Sequence, residues 1–90
     1  MPAVRSVEIV NERGLHARAS AKFVKLSGEF DAEVTVTREG QTVDARSIMG
    51  LMMLAAGLGS TIEIAAEGPE AQPALDALVE LVQGRFDEDQ

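Results

Sequence analysis

The sequence predicts an α+β domain in which helices cover one face of an antiparallel sheet. Segments of alternating apolar and polar residues, typical of half-buried strands, are separated by segments with apolar residues at helical spacing. Glycine and proline mark the junctions, and the resulting element order is β-α-β-β-α-β-α. Ninety residues, of which 46% are hydrophobic, suffice for one modest core, so we expect residues 1–90 to form a single domain.

The first strand and the first helix are joined by a polar loop. Residues 3–10 alternate, and the strand they predict has one apolar face. Residues 17–27 carry apolar side chains at helical spacing, and Gly28 is a suitable helix end. The helix should turn one apolar stripe inward, formed by Ala19, Phe23, Leu26 and Phe30.

A hairpin and a short second helix follow. Residues 32–37 and 42–45 alternate on either side of a turn at Glu39-Gly40, as expected for two antiparallel strands. Ser47 is a good N-cap for a helix over residues 48–56, which is apolar nearly all round. Its methionines either fill the core or form an adaptable docking surface. The stripe predicted to face inward consists of Ile48, Leu51, Met52 and Ala55.

The last strand and the last helix complete the pattern. Residues 61–66 alternate, and Gly68-Pro69 ends that strand. The regular part of the last helix should begin after about residue 72, because Pro73 is tolerated only in a first turn. We expect residues 87–90 to fray. The apolar stripe of this helix is Leu75, Leu78, Val79, Val82 and Phe86.

Composition excludes several functions. With no cysteine and one histidine, the chain has no disulfide, no thiolate catalysis and no histidine or cysteine metal cluster, and we expect neither a metal nor a cofactor. No apolar run approaches the roughly 20 residues that span a bilayer, and the N-terminus lacks the apolar core of a signal peptide, which predicts a cytoplasmic protein without membrane insertion. A net charge of −7 and only three aromatic residues argue against binding to nucleic acid.

The charge is unevenly distributed. Residues 1–25 carry five basic and two acidic residues, whereas the other 65 residues carry three basic and thirteen acidic ones. A small positive face, including Lys22 and Lys25, suits a partner with an acidic docking surface. An ordinary solvated helix face is the alternative interpretation.

The only histidine, His16, stands where the first loop gives way to the first helix. The unpaired N–H groups of Ala17 and Arg18 and the helix dipole favour an anion there and disfavour an imidazolium, so a ring nitrogen should be free to attack phosphorus. Arg18 opposes the dipole, a cost that a bound phosphate would offset. The competing interpretation is that His16 only caps the helix.

The stretch Gly14-Leu15-His16-Ala17-Arg18 resembles the active-site signature of HPr, the histidine-containing phosphocarrier protein of the bacterial phosphoenolpyruvate-dependent phosphotransferase system. In that family the matching histidine accepts a phosphoryl group and the matching arginine contacts it. Ala19 stands where the family usually has proline. The resemblance covers essentially the whole chain and implies an open-faced β-sandwich, with a four-stranded antiparallel sheet in the order 1-4-2-3 and three helices on one face.

The resemblance also implies a relay. His16 would take a phosphoryl group from phosphorylated enzyme I, which draws it from phosphoenolpyruvate, and pass it to a histidine of an enzyme IIA. The protein would then be a monomeric carrier rather than an enzyme. The residues implied in partner docking are Lys22, Lys25, Ile48, Met49, Leu51, Met52 and Met53.

Two further similarities concern regulation. Residues 46–50 resemble the segment of HPr proteins in which a dedicated kinase, HPr kinase/phosphorylase, phosphorylates the serine, here Ser47. Residues 28–34 and 86–89 are more similar to the nitrogen-related branch of the family than to the sugar-transport branch, so the pathway stays open. The alternative function is a non-catalytic regulatory module that docks onto a transcription factor or an enzyme.

Overall fold

The computed structural model describes residues 2–89, and its four strands form one antiparallel sheet. The strands are β1 (Ala3–Glu8), β2 (Glu33–Arg38), β3 (Gln41–Asp44) and β4 (Thr61–Glu67). Their order across the sheet is β1-β4-β2-β3, with each neighbouring pair antiparallel. The predicted strand order is therefore confirmed.

Three helices, α1 (Ala17–Ser27), α2 (Ile48–Met53) and α3 (Ala71–Gln83), cover one face of the sheet. The core lies between the two layers, because alternate strand residues point toward the helices while their neighbours, such as Glu33 and Glu63, are exposed. This arrangement confirms the predicted open-faced α+β architecture. The largest fully buried apolar side chains of the core are Ile9, Phe23, Val36, Leu51, Ile62, Ile64, Leu78, Val82 and Phe86.

The helix α1 has the predicted bounds, with His16 as its N-cap and Gly28 as its C-cap. Gly28 ends it by donating its N–H to the Val24 carbonyl at 3.0 Å. Ala19 and Phe23 are buried as predicted, whereas Leu26 and Phe30 are half-buried. The helix therefore presents one side to the core and leaves Arg18 and Lys25 exposed on the other.

The helix α2 is shorter than predicted and is rotated relative to the predicted stripe. It ends at Met53 instead of Ala56, since the N–H groups of Leu54 and Ala55 bond three residues back and Ala55 has a φ of 52°. Leu51 and Leu54 face the core, whereas Ile48, Met52 and Ala55 are exposed. A helix that is apolar nearly all round gives no local signal of which side faces inward, so the prediction was wrong for those three residues.

The strand β1 ends at Glu8, two residues before the predicted limit. The Ile9 N–H still donates to the Ser60 carbonyl at 2.8 Å, and the Gly59 N–H donates to the Ile9 carbonyl at 2.9 Å. These bonds hold the chain beside β4 outside the regular ladder, and Asn11 then begins the loop that leads to His16.

The C-terminal segment folds back onto α1, so the predicted fraying is wrong for Asp87 and Glu88; Gln90 lies outside the described residues. Residues 85–87 form a 3₁₀ turn in which Arg85, Phe86 and Asp87 have φ values of 60°, 52° and 65°. Left-handed backbone costs roughly 1–2 kcal/mol for a residue with a Cβ. Full burial of Phe86, worth roughly 1.5–3 kcal/mol, and a 2.7 Å hydrogen bond from Lys22 Nζ to the Phe86 carbonyl offset part of the cost of the three residues.

No helix within residues 2–89 is long and apolar enough to cross a membrane.

Candidate functional site

The loop that carries His16 is fixed against the chain that follows α2. The Leu15 N–H donates to the Ala56 carbonyl at 3.0 Å, and the Leu15 side chain is buried. Gly14 has a φ of 65°, and a Cβ at this position would lie 2.4 Å from the Ala56 oxygen. Only glycine allows the two backbones to approach this closely.

The buried side chain of Asn11 is hydrogen-bonded to the same loop. It is fully buried, and its side-chain Nδ2 donates to the Gly14 carbonyl at 2.9 Å and to Glu88 Oε1 at 3.1 Å. We did not predict a role for Asn11 from the sequence. The available signal was an asparagine at the start of a polar loop, where its amide commonly bonds to nearby backbone.

His16 is the N-cap of α1. Its extended backbone, with φ −74° and ψ −180°, places Nδ1 3.3 Å from the Arg18 N–H, which donates to it. A nitrogen that accepts a hydrogen bond carries a lone pair, so this long contact favours the neutral tautomer with its proton on Nε2. The Nδ1 lone pair therefore lies at the N-terminus of the helix, as predicted for the ring nitrogen that would attack phosphorus.

The other ring nitrogen of His16 faces a carboxylate. Nε2 lies 2.5 Å from Glu88 Oε2, and the two side chains are 18% and 17% exposed. Burial of the Glu88 carboxyl raises its pKa, but hydrogen bonds from His16 and Asn11, together with the charge of Arg13, outweigh burial and leave the pKa below its ordinary value. Glu88 is therefore ionised at neutral pH. Sequence patterns could not reveal this pair, because its members are 72 residues apart.

His16 and Arg18 open onto one cavity of about 540 Å³. Basic side chains of Arg13 and Lys22 also line it, as do the acidic side chain of Glu12 and residues 87–89. His16 is therefore surrounded by acidic as well as the expected basic side chains, because the folded-back residues 87–89 add negative charge to the cavity. Of the two lysines predicted on the positive face, Lys22 lies at this cavity and Lys25 lies elsewhere on α1.

An exposed apolar surface adjoins this cavity. His16 and Met52 line a shared depression, and the exposed fractions of Met49 and Met53 are 70% and 65%. Ile48 and Met52 are each 40% exposed. Leu51 is fully buried and cannot contact a partner, so its place in the predicted docking set is wrong. We call the exposed side chains Ile48, Met49, Met52 and Met53 the apolar surface of α2.

Ser47 lies at the edge of this surface. Its Oγ accepts a hydrogen bond from the Gly50 N–H at 2.9 Å, which makes it the N-cap of α2 as predicted. The side chain is half-buried and immediately precedes Ile48 and Met49. Any group added to the Ser47 hydroxyl would stand beside the apolar surface of α2.

These features define a class of protein. A histidine at a helix N-terminus, with an arginine in the same cavity, supplies a nucleophilic nitrogen and donors for an anion, as a protein that accepts a phosphoryl group requires. The family model described as the PTS HPr component phosphorylation site matches residues 3–84. The chain belongs to this family, and is therefore a phosphocarrier of the phosphotransferase system.

Relatives of this chain include proteins named HPr and NPr. The phosphocarrier protein HPr of Cupriavidus necator is 54% identical over 84 residues, which cover 93% of this chain and 94% of that protein. The phosphocarrier protein NPr of Shewanella violacea is 46% identical over 84 residues, with coverage of 93% and 92%.

Solved structures agree with this assignment. HPr-C-His from Thermoanaerobacter tengcongensis superimposes with a TM-score of 0.93 at 36% identity, covering 98% of this chain and 99% of that one. The phosphocarrier protein HPr of Bacillus anthracis gives a TM-score of 0.87 at 43% identity, with coverage of 91% and 98%.

Proposed function

We propose that His16 accepts a phosphoryl group from phosphorylated enzyme I and passes it to a histidine of an enzyme IIA. The observation that carries the proposal is the orientation of the His16 ring, whose Nδ1 lone pair lies against the first N–H groups of α1. Membership of the phosphocarrier family supports the same role. The protein would then be a covalent intermediate of the relay rather than a catalyst of its own reaction.

The chemistry follows from the local groups. The Nδ1 lone pair forms the bond to phosphorus, while the bond from phosphorus to its donor atom on enzyme I breaks and leaves its electron pair on that atom. The Arg18 N–H, which Nδ1 no longer engages, is then available to a phosphoryl oxygen at the helix N-terminus. The Arg18 guanidinium lines the same cavity and offers paired charged donors. Enzyme I and enzyme IIA supply much of the remaining catalysis by positioning.

Partners would contact the apolar surface of α2, with Lys22 and Lys25 giving charge complementarity to an acidic rim. Both enzymes would meet this face because it adjoins His16. We place the relay in the cytoplasm. We propose that it serves either sugar uptake or nitrogen-related regulation.

The test is transfer of label from radioactive phosphoenolpyruvate in the presence of enzyme I. Wild type should take up acid-labile, base-stable label, typical of phosphohistidine, and His16→Ala should take up none while its circular dichroism stays unchanged. Labelled His16→Ala would refute the assignment of the acceptor. An enzyme I shown to be active on a control carrier excludes failure of the donor.

We also propose that HPr kinase/phosphorylase modifies Ser47. The phosphate would put about two negative charges beside the apolar surface of α2 and weaken the docking of partners that expect a neutral surface. Purified kinase with ATP should label wild type but not Ser47→Ala. Equal labelling of the two proteins would contradict the proposal.

A second candidate function is a non-catalytic docking module, favoured by the exposure of Met49 and Met53. In that case His16 is only the cap of α1. Such a module keeps its partner binding after His16→Ala and loses it when Met49 and Met53 are replaced by serine. A phosphocarrier loses transfer in both variants, and its His16→Ala form still binds enzyme I.

A further inference from the structure

We propose that Glu88 is a positioning residue for phosphoryl transfer, because its carboxylate keeps the imidazole proton of His16 on Nε2 and leaves the Nδ1 lone pair facing the phosphoryl group. This inference rests on the proposed function of His16 as the acceptor. It adds a residue from the far end of the chain to a site otherwise built from one loop and one helix.

Both carboxylate oxygens of Glu88 are engaged by the site. Oε2 faces His16 Nε2 at 2.5 Å, and Oε1 accepts from Asn11 Nδ2 at 3.1 Å. The same Asn11 amide donates to the Gly14 carbonyl at 2.9 Å and is fully buried. These hydrogen bonds therefore fix the Glu88 carboxylate relative to the loop that carries His16.

A left-handed turn at residues 85–87 places Glu88 beside His16. Three successive residues with side chains, Arg85, Phe86 and Asp87, hold positive φ values, a conformation that persists only when surrounding contacts enforce it. Phe86 is fully buried, and Lys22 Nζ donates to its carbonyl at 2.7 Å. Lys22 belongs to α1, the helix that His16 caps, so the carboxylate and the imidazole are tied to the same element.

The chemical consequence concerns one proton and one electron pair. A carboxylate at Nε2 requires an N–H there, since two acceptors cannot share the contact, and the lone pair of the neutral ring is then on Nδ1. When Nδ1 bonds to phosphorus and the donor atom departs with its electron pair, the ring gains positive charge that Glu88 stabilises. When the Nδ1–phosphorus bond later breaks toward the acceptor, the pair returns to Nδ1, and the proton retained on Nε2 lets a neutral imidazole leave. A carboxylate that orients a catalytic histidine acts in the same way in serine hydrolases.

The first test is nitrogen NMR of the unphosphorylated imidazole, which reports the tautomer directly. Wild type should show a protonated Nε2 and an unprotonated Nδ1, whereas Glu88→Ala should give a mixture of tautomers. Glu88→Gln should retain the wild-type tautomer only in part, because its single amide oxygen can accept from either His16 Nε2 or Asn11 Nδ2 but not from both. Glu80→Ala is the matched control, since Glu80 is exposed on α3, does not line the cavity and loses the same carboxylate. Identical ring-nitrogen shifts in wild type and Glu88→Ala would overturn the proposal.

The second test is the rate of His16 phosphorylation by enzyme I. We expect about a tenfold or greater loss in Glu88→Ala, a smaller loss in Glu88→Gln and little change in Glu80→Ala. An unchanged rate in Glu88→Ala would refute the positioning role while leaving His16 as the acceptor. A faster rate would also refute it and would indicate that the carboxylate repels the phosphoryl group. If wild type itself takes no label, the proposed function fails, and the tautomer measurement still decides whether Glu88 orients the ring.

Discussion

Replacement of Gly14 by alanine tests how the His16 loop is held. The new Cβ would lie 2.4 Å from the Ala56 oxygen and 2.8 Å from the Gly57 Cα, and both obstacles are backbone. Real Cβ atoms essentially never approach closer than 3.0 Å, so the two loops must separate by at least roughly 0.6 Å. That movement weakens the bond from the Leu15 N–H to the Ala56 carbonyl and displaces His16 from the apolar surface of α2.

The magnitude combines two costs. Alanine at a φ of 65° costs about 1 kcal/mol or slightly more, and overpacking against a backbone costs about 1–3 kcal/mol. We therefore expect Gly14→Ala to lower the free energy of unfolding by about 3 kcal/mol. Gly40→Ala is the matched control, since Gly40 has a φ of 82° with nothing within 4 Å of an added Cβ, and should cost only about 1 kcal/mol.

The assay is urea unfolding followed by circular dichroism. With a slope of about 1 kcal/mol/M, the midpoints of the two variants should differ by about 2 M. Phosphorylation by enzyme I should slow in Gly14→Ala and stay unchanged in Gly40→Ala. Equal midpoints for the two variants would refute the inference that close backbone approach, rather than positive φ alone, demands glycine.

Three further predictions concern single groups. Arg18→Ala should slow phosphoryl transfer and change the free energy of unfolding by less than about 0.5 kcal/mol, because Arg18 is exposed; a transfer rate equal to that of wild type would show that it is only a surface charge. Ser47→Ala should cost about 1 kcal/mol in urea unfolding through loss of the cap on Gly50, and Ser47→Thr should restore most of it; no loss in the alanine variant would contradict the cap. The folded-state pKa of Glu88 is lowered, so its contribution to stability is present above its ordinary value of 4.5 and is lost as the pH falls through the lower folded value. Acid unfolding curves of Glu88→Gln should accordingly converge with those of wild type at low pH, and a constant gap between them would contradict the shift.

Much of the fold was predictable because its signals are local. Alternation gave the strands, glycine and proline gave their ends, and the bounds of α1 matched a single amphipathic stretch. His16 and Arg18 were identified from neighbouring residues, and the structure brings both to one cavity. Their roles in phosphoryl transfer remain predictions.

Local patterns failed where packing made the choice. The helix α2 is apolar on all sides, so only the tertiary contacts select Leu51 and Leu54 for the core and leave Ile48 and Met52 outside. Because Leu51 and Leu54 occupy the core, Met49, Met52 and Met53 are left exposed and form a candidate docking surface.

The sequence by itself determined the order of the strands and helices, the N-caps of α1 and α2 and the residue types of the site, because each depends on neighbours within a few positions. Only the tertiary structure decided that Glu88 meets His16 and that Asn11 links the two. An acidic chain end has no local tendency to form a left-handed turn. Burial of Phe86 and the bond from Lys22 stabilise that turn, and both arise from contacts that close only when the whole chain is folded.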